Sequence, residues 1–190
     1  DYIGEKKLNS ALKKYVNKVA FQEPPYTTTI DLVNHVKEVL PDTLNYLIKD
    51  MFETITLYQN RIVSTQSKKL ENGKYQVDIE FKVSKYRNDE KGKIFYGNEK
   101  RDSISFKTEK MKKPEYSVYL NDYIDVGIFG EDDDENEVEL YIKKHKIDSI
   151  NNKVSIIVDK KPVEVGIDPY NKLIDTNSED NRKKLKEELL

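Results

Sequence analysis

The sequence predicts an α+β fold, a short N-terminal helical segment followed by an antiparallel Ig-like β-sandwich of about seven strands. Three observations carry this expectation. Apolar residues recur at helical spacing as far as about Glu53. From about Thr54 they alternate with polar ones at the two-residue period of a strand. Turn residues, not helices, separate the strands that follow, which makes an antiparallel sandwich the natural arrangement. The expected organisation is therefore a helical segment over 1–53, a sandwich over 54–170 and a polar tail or short helix over 171–190.

In the helical segment, Leu8, Ala11, Leu12, Tyr15, Val16 and Val19 form one apolar stripe. Pro24 and Pro25 end it, because neither has an amide hydrogen to donate and each disfavours helix in the residue before it. A second helix is expected to start at Thr28, whose hydroxyl can accept from free amides. Asp31, three residues on, sits where a carboxylate meets the positive helix end. Leu32, Val33, Val36 and Leu40 follow on one face. Pro41-Asp42 gives another stop and start, and Leu44, Leu47, Ile48, Met51, Phe52 and Ile55 repeat the pattern.

The clearest strand runs from Tyr75 to Val83, where Tyr75, Val77, Ile79, Phe81 and Val83 alternate with Gln76, Asp78, Glu80 and Lys82. Asn72-Gly73 before it predicts a two-residue hairpin turn with positive φ at both positions, which makes Arg61 to Leu70 the partner strand. Further strands are expected over Ser103–Thr108, Tyr123–Phe129, Val138–Ile147, Val154–Val158 and Val163–Ile167, with loops over 85–101 and 109–121. Ser178 to Leu190 reads as a charged helix or frayed tail.

Composition narrows the function. The 33 basic and 35 acidic side chains leave a net charge of -2, too little field to gather nucleic acid or anionic lipid, and the 13 tyrosines are dispersed as sheet residues. No stretch approaches the roughly 18 apolar residues a membrane span needs, so the segment is expected to be soluble by itself, without membrane insertion. The absence of cysteine removes thiolate zinc sites and cysteine nucleophiles. The first residue, Asp1, is not methionine, as expected for a piece of something longer.

Catalytic motifs fail one by one. A gluzincin centre needs two histidines one helical turn apart with a glutamate beside the first, so that metal and base share a face. The two histidines, His35 and His145, stand alone and far apart. No Gly-x-Ser-x-Gly elbow is present, and 7 glycines form no phosphate loop. The acidic run over 131–137 departs from the calcium-loop pattern at Glu137 and Lys143, and reads as a solvated hairpin tip. No catalytic, cofactor-binding or metal-binding residue is therefore assigned. From the residues alone, a binding or scaffolding module and a part of an enzyme both stay open.

The opening segment carries a resemblance. Gly4-Glu5 before a helix with Ala11-Leu12 and Tyr15, then Thr28-Thr29-Ile30-Asp31-Leu32, resembles the stretch after the active site in zinc aminopeptidases of the aminopeptidase N and leukotriene hydrolase (gluzincin) family. The similarity extends to bacterial members in which an ABC-permease-like membrane half precedes the peptidase half. It lies at Phe21-Gln22-Glu23-Pro24-Pro25-Tyr26, at Phe52-Glu53-Thr54-Ile55-Thr56-Leu57-Tyr58 and at Gly166-Ile167-Asp168-Pro169-Tyr170-Asn171-Lys172-Leu173-Ile174-Asp175.

The resemblance implies that residues to about Glu53 complete the catalytic domain of a parent aminopeptidase and that the rest forms the sandwich behind it. It also implies that zinc belongs to the parent, not to this chain, because the family's zinc ligands and catalytic tyrosine precede the Gly-Glu helix. Tyr2 stands near the place of that tyrosine but lacks the following x-Lys-Gly, so the role is not carried over. The implied partner is the upstream catalytic domain of the same chain, and the implied place is a membrane-associated, extracytoplasmic one. The expectation is thus a non-catalytic C-terminal fragment with exposed apolar surface on its helical segment. The alternative is a free-standing Ig-like module that binds protein or carbohydrate.

Overall fold

The computed structural model describes residues 1–95, 118 and 120–185. The chain divides into two compact units, Asp1–Ile55 and Thr56–Leu190. The first is helical. α1 (Glu5–Val19) buries only Ala11 fully, and its apolar stripe is otherwise half-buried except Val16, which is exposed. α2 (Thr29–Lys37) opens with the expected capping box. The Asp31 carboxylate accepts from the Thr28 backbone amide at 2.8 Å and from its hydroxyl at 2.9 Å, bonds that hold it below the usual carboxylate range.

The third helix is not continuous. A 3-10 turn (Asp42–Leu44), a single α turn α3 (Tyr46–Ile48) and a π turn (Lys49–Glu53) follow one another. Tightening and then widening of the coil breaks the 3.6-residue period. Leu44, Leu47 and Ile48 are therefore buried, whereas Met51, Phe52 and Ile55, expected on the same stripe, are exposed. No helix among the described residues is long and apolar enough to cross a membrane.

The second unit is an antiparallel sandwich of two four-stranded sheets. One contains β1 (Ile55–Lys69), β2 (Tyr75–Asn88), β3 (Ile94–Phe95) and β6 (Asn151–Val158). The other has the order β5-β4-β7-β8, with β4 (Asp122–Glu131), β5 (Glu137–Ile147), β7 (Glu164–Ile167) and β8 (Arg182–Lys184). The alternation read along β2 is the one observed: Val77, Ile79, Phe81 and Val83 are at most 1% exposed. They share one core with Ile124, Val126 and Ile128 of β4 and Val165 and Ile167 of β7, so both sheets contribute to a single apolar layer.

Two expectations are corrected and a third is not tested by the described residues. Of the segment expected as a helix or tail over 178–190, the described part, 178–185, is not a continuous helix, because after a 3-10 turn (Ser178–Asp180) β8 pairs with β7, Lys183 opposite Val165. Residues 85–95, expected as loop, continue β2 and turn into β3 around Gly92, whose φ is 76°. The expected strand Ser103–Thr108 lies outside the described residues.

The hairpin after β1 also differs from a two-residue turn. Leu70 N–H donates to Lys74 O at 2.8 Å across three loop residues, and only Gly73 has positive φ, 83°. The same closure recurs at Asp132–Asn136, at 3.0 Å, where Glu135 occupies the left-handed position at φ 61°. Left-handed backbone crowds Cβ against the following carbonyl, at a cost of about 1 kcal/mol. Replacing Glu135 with glycine should therefore raise the unfolding free energy by about 1 kcal/mol, read from the urea midpoint at unchanged slope.

Candidate functional site

The chemistry-bearing residues of the sandwich gather in three places. The first lies between the sheets. Lys85, near the end of β2, reaches Asp122, the first residue of β4, with Nζ at 3.0 and 3.1 Å from the two carboxylate oxygens. Tyr58 of β1 donates its hydroxyl to the same Asp122 at 2.8 Å. Both charged side chains are 3% exposed. A lysine, a carboxylate and a phenol are in contact here, and among the described residues both charged side chains are buried. The group acts as a fastener between sheets.

The second lies on the outer face of β4, where Asp125, Gly127 and Phe129 alternate with the core residues. The segment Asp168–Leu173, the Asp-Pro-Tyr motif, folds back over them. Asp168 donates its backbone N–H to Asp125 O at 2.7 Å, and its carboxylate accepts from Lys172 N at 3.0 Å and Leu173 N at 2.9 Å. Gly127 and Gly166 are needed beneath it, since a Cβ on Gly127 would meet the Phe129 ring at 2.8 Å and one on Gly166 would meet Pro169 at 2.8 Å. Arg182 lies over the Phe129 ring, 4.2 Å from its centre, and Tyr170 meets that ring edge-on.

The two carboxylates of this cluster are driven in opposite directions. Burial raises Asp168, and although the Leu173 and Lys172 amides counter it, the net shift is upward. Asp125 is also penalised by burial, but hydrogen bonds from Lys172 at 2.8 Å and Lys144 at 3.0 Å, with their charges, outweigh that and hold it below its ordinary value.

The third place joins the first strand to the last turn. Tyr58 N–H donates to Ile174 O at 2.9 Å, Thr176 N–H to Tyr58 O at 3.0 Å and Asn60 N–H to the Asp175 carboxylate at 2.8 Å. The Asn181 amide, with its nitrogen turned inward, bridges Asn60 O at 2.8 Å and Asp175 at 3.3 Å.

The histidines fall in different units. His35 donates Nδ1–H to Asp31 O at 2.7 Å, one helical turn back, and packs edge-on to Tyr15. His145 shares a hydrogen bond with Tyr141 at 2.8 Å, and burial, aided by the Lys143 charge, lowers its pKa. In the acidic run, Asp132 uses one carboxylate oxygen to accept from Asp134 N at 3.0 Å and Asn136 N at 2.8 Å, which explains its place in the turn without a cation. Among the described residues, no group of three or more His, Cys, Asp or Glu side chains is placed to hold a metal ion.

Sequence reasoning passed over Lys85, Asp122 and Asn60, whose only signal was a polar side chain at an apolar position of a strand. It did single out the Asp168-Pro169-Tyr170 segment. No protein-family model matches the chain, and no curated protein matches it as a relative. Fold and polar clusters together define a β-sandwich protein with a helical unit, whose buried charges are spent on holding the sandwich together.

Two outcomes follow. Lys85→Met leaves Asp122 buried without its cation and should cost about 3–5 kcal/mol, whereas adding Asp122→Leu should recover most of that loss; denaturant unfolding of both variants measures it. Asp125 has a depressed folded-state pKa, so its contribution is present above the ordinary aspartate value of 3.8 and is lost as pH falls below it. The stability gap between the wild type and Asp125→Asn should therefore close below that pH in unfolding series run at stepped pH.

Proposed function

We propose that this chain is the non-catalytic C-terminal region of a membrane-anchored zinc metallo-aminopeptidase. In this reading its helical unit completes the parent's catalytic domain and its sandwich supports that domain from behind. The zinc-water chemistry belongs to residues upstream, and this region shapes and stabilises the domain that holds them.

The observation that carries the reading is the helical unit's apolar surplus. In 55 residues it buries five apolar side chains, Ala11, Val33, Leu44, Leu47 and Ile48. Val16, Phe21, Tyr26, Ile30, Met51 and Phe52 are all more than 40% exposed. An apolar surplus of this size on a small unit fits a segment whose core is completed by a neighbouring domain. A free-standing helical unit would instead be expected to cover these side chains within itself. The motifs over 3–32 and 166–175 support the family reading, and the exposed helical faces are in keeping with it.

The reading frame upstream of Asp1 is expected to encode His-Glu-x-x-His followed by a third glutamate ligand; a frame without it overturns the proposal. At the protein level, Ile30→Asp and Met51→Asp should change the unfolding free energy of the 190-residue chain by less than about 0.5 kcal/mol, because both side chains are already in water. In the full parent the same changes should lower the melting temperature of the catalytic domain and its peptidase turnover. Equal melting temperatures for variant and wild-type parent would count against docking through this face.

A further inference from the structure

We infer that the groove between the edges of β1 and β8 binds an acidic peptide in extended conformation, taken up as an added strand. The inference concerns the sandwich alone and stands whether or not the parent is a peptidase.

Among the described residues, β1 and β8 are the terminal strands of their sheets. The outer edge of β1 is covered at Tyr58–Asn60 by the 174–176 segment. Farther along, Lys183 of β8 donates Nζ to Val63 O at 2.8 Å, which ties the two edges together at one point. Beyond that tie the edges frame a groove of about 820 Å³, lined by residues 64–69 of β1, Gln76, Asp78, Lys183 and Lys184. That volume lies within the range of ligand clefts.

Charge selects the occupant. Lys68, Lys69, Lys183 and Lys184 all line the groove. Among the described residues, no carboxylate pairs with Lys68, Lys69 or Lys184, whereas Lys74, Lys144, Lys153 and Lys172 each have one and Arg182 has two. The acidic lining residue, Asp78, is already engaged by Ser155 and by Gln76 at 3.2 Å. In a chain of net charge -2, this is a local excess of cation with nothing of the described chain to neutralise it.

Lysines on an exposed strand also discourage edge-to-edge aggregation, and a single protected edge would need no other explanation. Here cations from two different sheets converge on one concavity. A strand edge offers main-chain donors and acceptors as well as side chains, which favours a peptide over a polysaccharide or a nucleic acid.

The test uses the 190-residue chain and a fluorescein-labelled peptide of about ten residues alternating glutamate with threonine. Anisotropy should rise to saturation at 0.05 M salt and the affinity should fall at least about tenfold at 0.5 M. The triple variant Lys68→Glu, Lys69→Glu, Lys184→Glu should lose at least about tenfold, and the corresponding glutamine variant should fall between it and wild type. Thermal melts of both variants check that they fold. Amide shifts should be confined to residues 64–69, 183 and 184, and a peptide N-methylated at alternate residues should bind at least about tenfold more weakly. Absence of binding overturns the inference, as does undiminished binding by the charge-reversed chain. Equal binding of the N-methylated peptide or of a sulfated polysaccharide also overturns it, because it would reduce the groove to an electrostatic patch.

Discussion

The contact between Lys85 and Asp122 sets the relation between the two sheets. Aliphatic side chains such as Val77, Ile79, Val126 and Ile128 give the core its volume, but apolar packing alone accepts small slides of one sheet over the other. A bidentate ion pair, excluded from water and completed by the Tyr58 hydroxyl, accepts only one alignment of β1 and β2 against β4. The chain that returns to begin β4 is held at the same point, since Val118 N–H donates to Lys85 O at 2.7 Å. Desolvating two charges is costly, so such a pair contributes more to the uniqueness of the arrangement than to its depth.

A second layer of constraint covers the outer face of the other sheet. Gly127 and Gly166 leave hollows that Phe129 and Pro169 fill, and Asp168 bends the chain into position by capping two amides of its own loop. Asp125, which would otherwise be an isolated charge under this cover, holds two lysines. The ionisable groups of the interior thus answer to one another. Among the described residues, the exposed apolar helical faces and the lysine-lined gap between two strand ends lie apart from these contacts.

Much of the fold was legible because burial imposes a period. The alternation in β2 and the stripe in α1 follow from one side of each element meeting a core. The capping box at Thr28 and Asp31 was readable because its chemistry is local. The third helix misled because Met51 and Phe52 continue a helical pattern that a π turn rotates away, and Ile55 already begins β1. β8 was missed for a different reason: Arg182-Lys183-Lys184 has no apolar alternation, since an edge strand of three residues takes its stability from its neighbour's backbone. The Asn72-Gly73 turn was placed correctly and given the wrong geometry, because one extra loop residue lets glycine alone take positive φ. Apart from the Asp168-Pro169-Tyr170 segment, the pairings within the polar clusters were not legible, for the reason common to all long-range pairs: no local signal says that position 85 will face position 122.

The clip formed by Asn60, Asp175 and Asn181 has a kinetic meaning. It bonds the first strand of the sandwich to residues more than a hundred positions later, the Asn60 to Asp175 bond spanning 115. Closure of so long a loop comes late, because chain entropy is surrendered before the contact returns anything. During synthesis β1 must therefore wait, paired with β2 alone on one side, until the chain has been made as far as Asp175 and Asn181. Loss of the last dozen described residues would leave that early hairpin without its final neighbour, open to pairing with any strand that reaches it first.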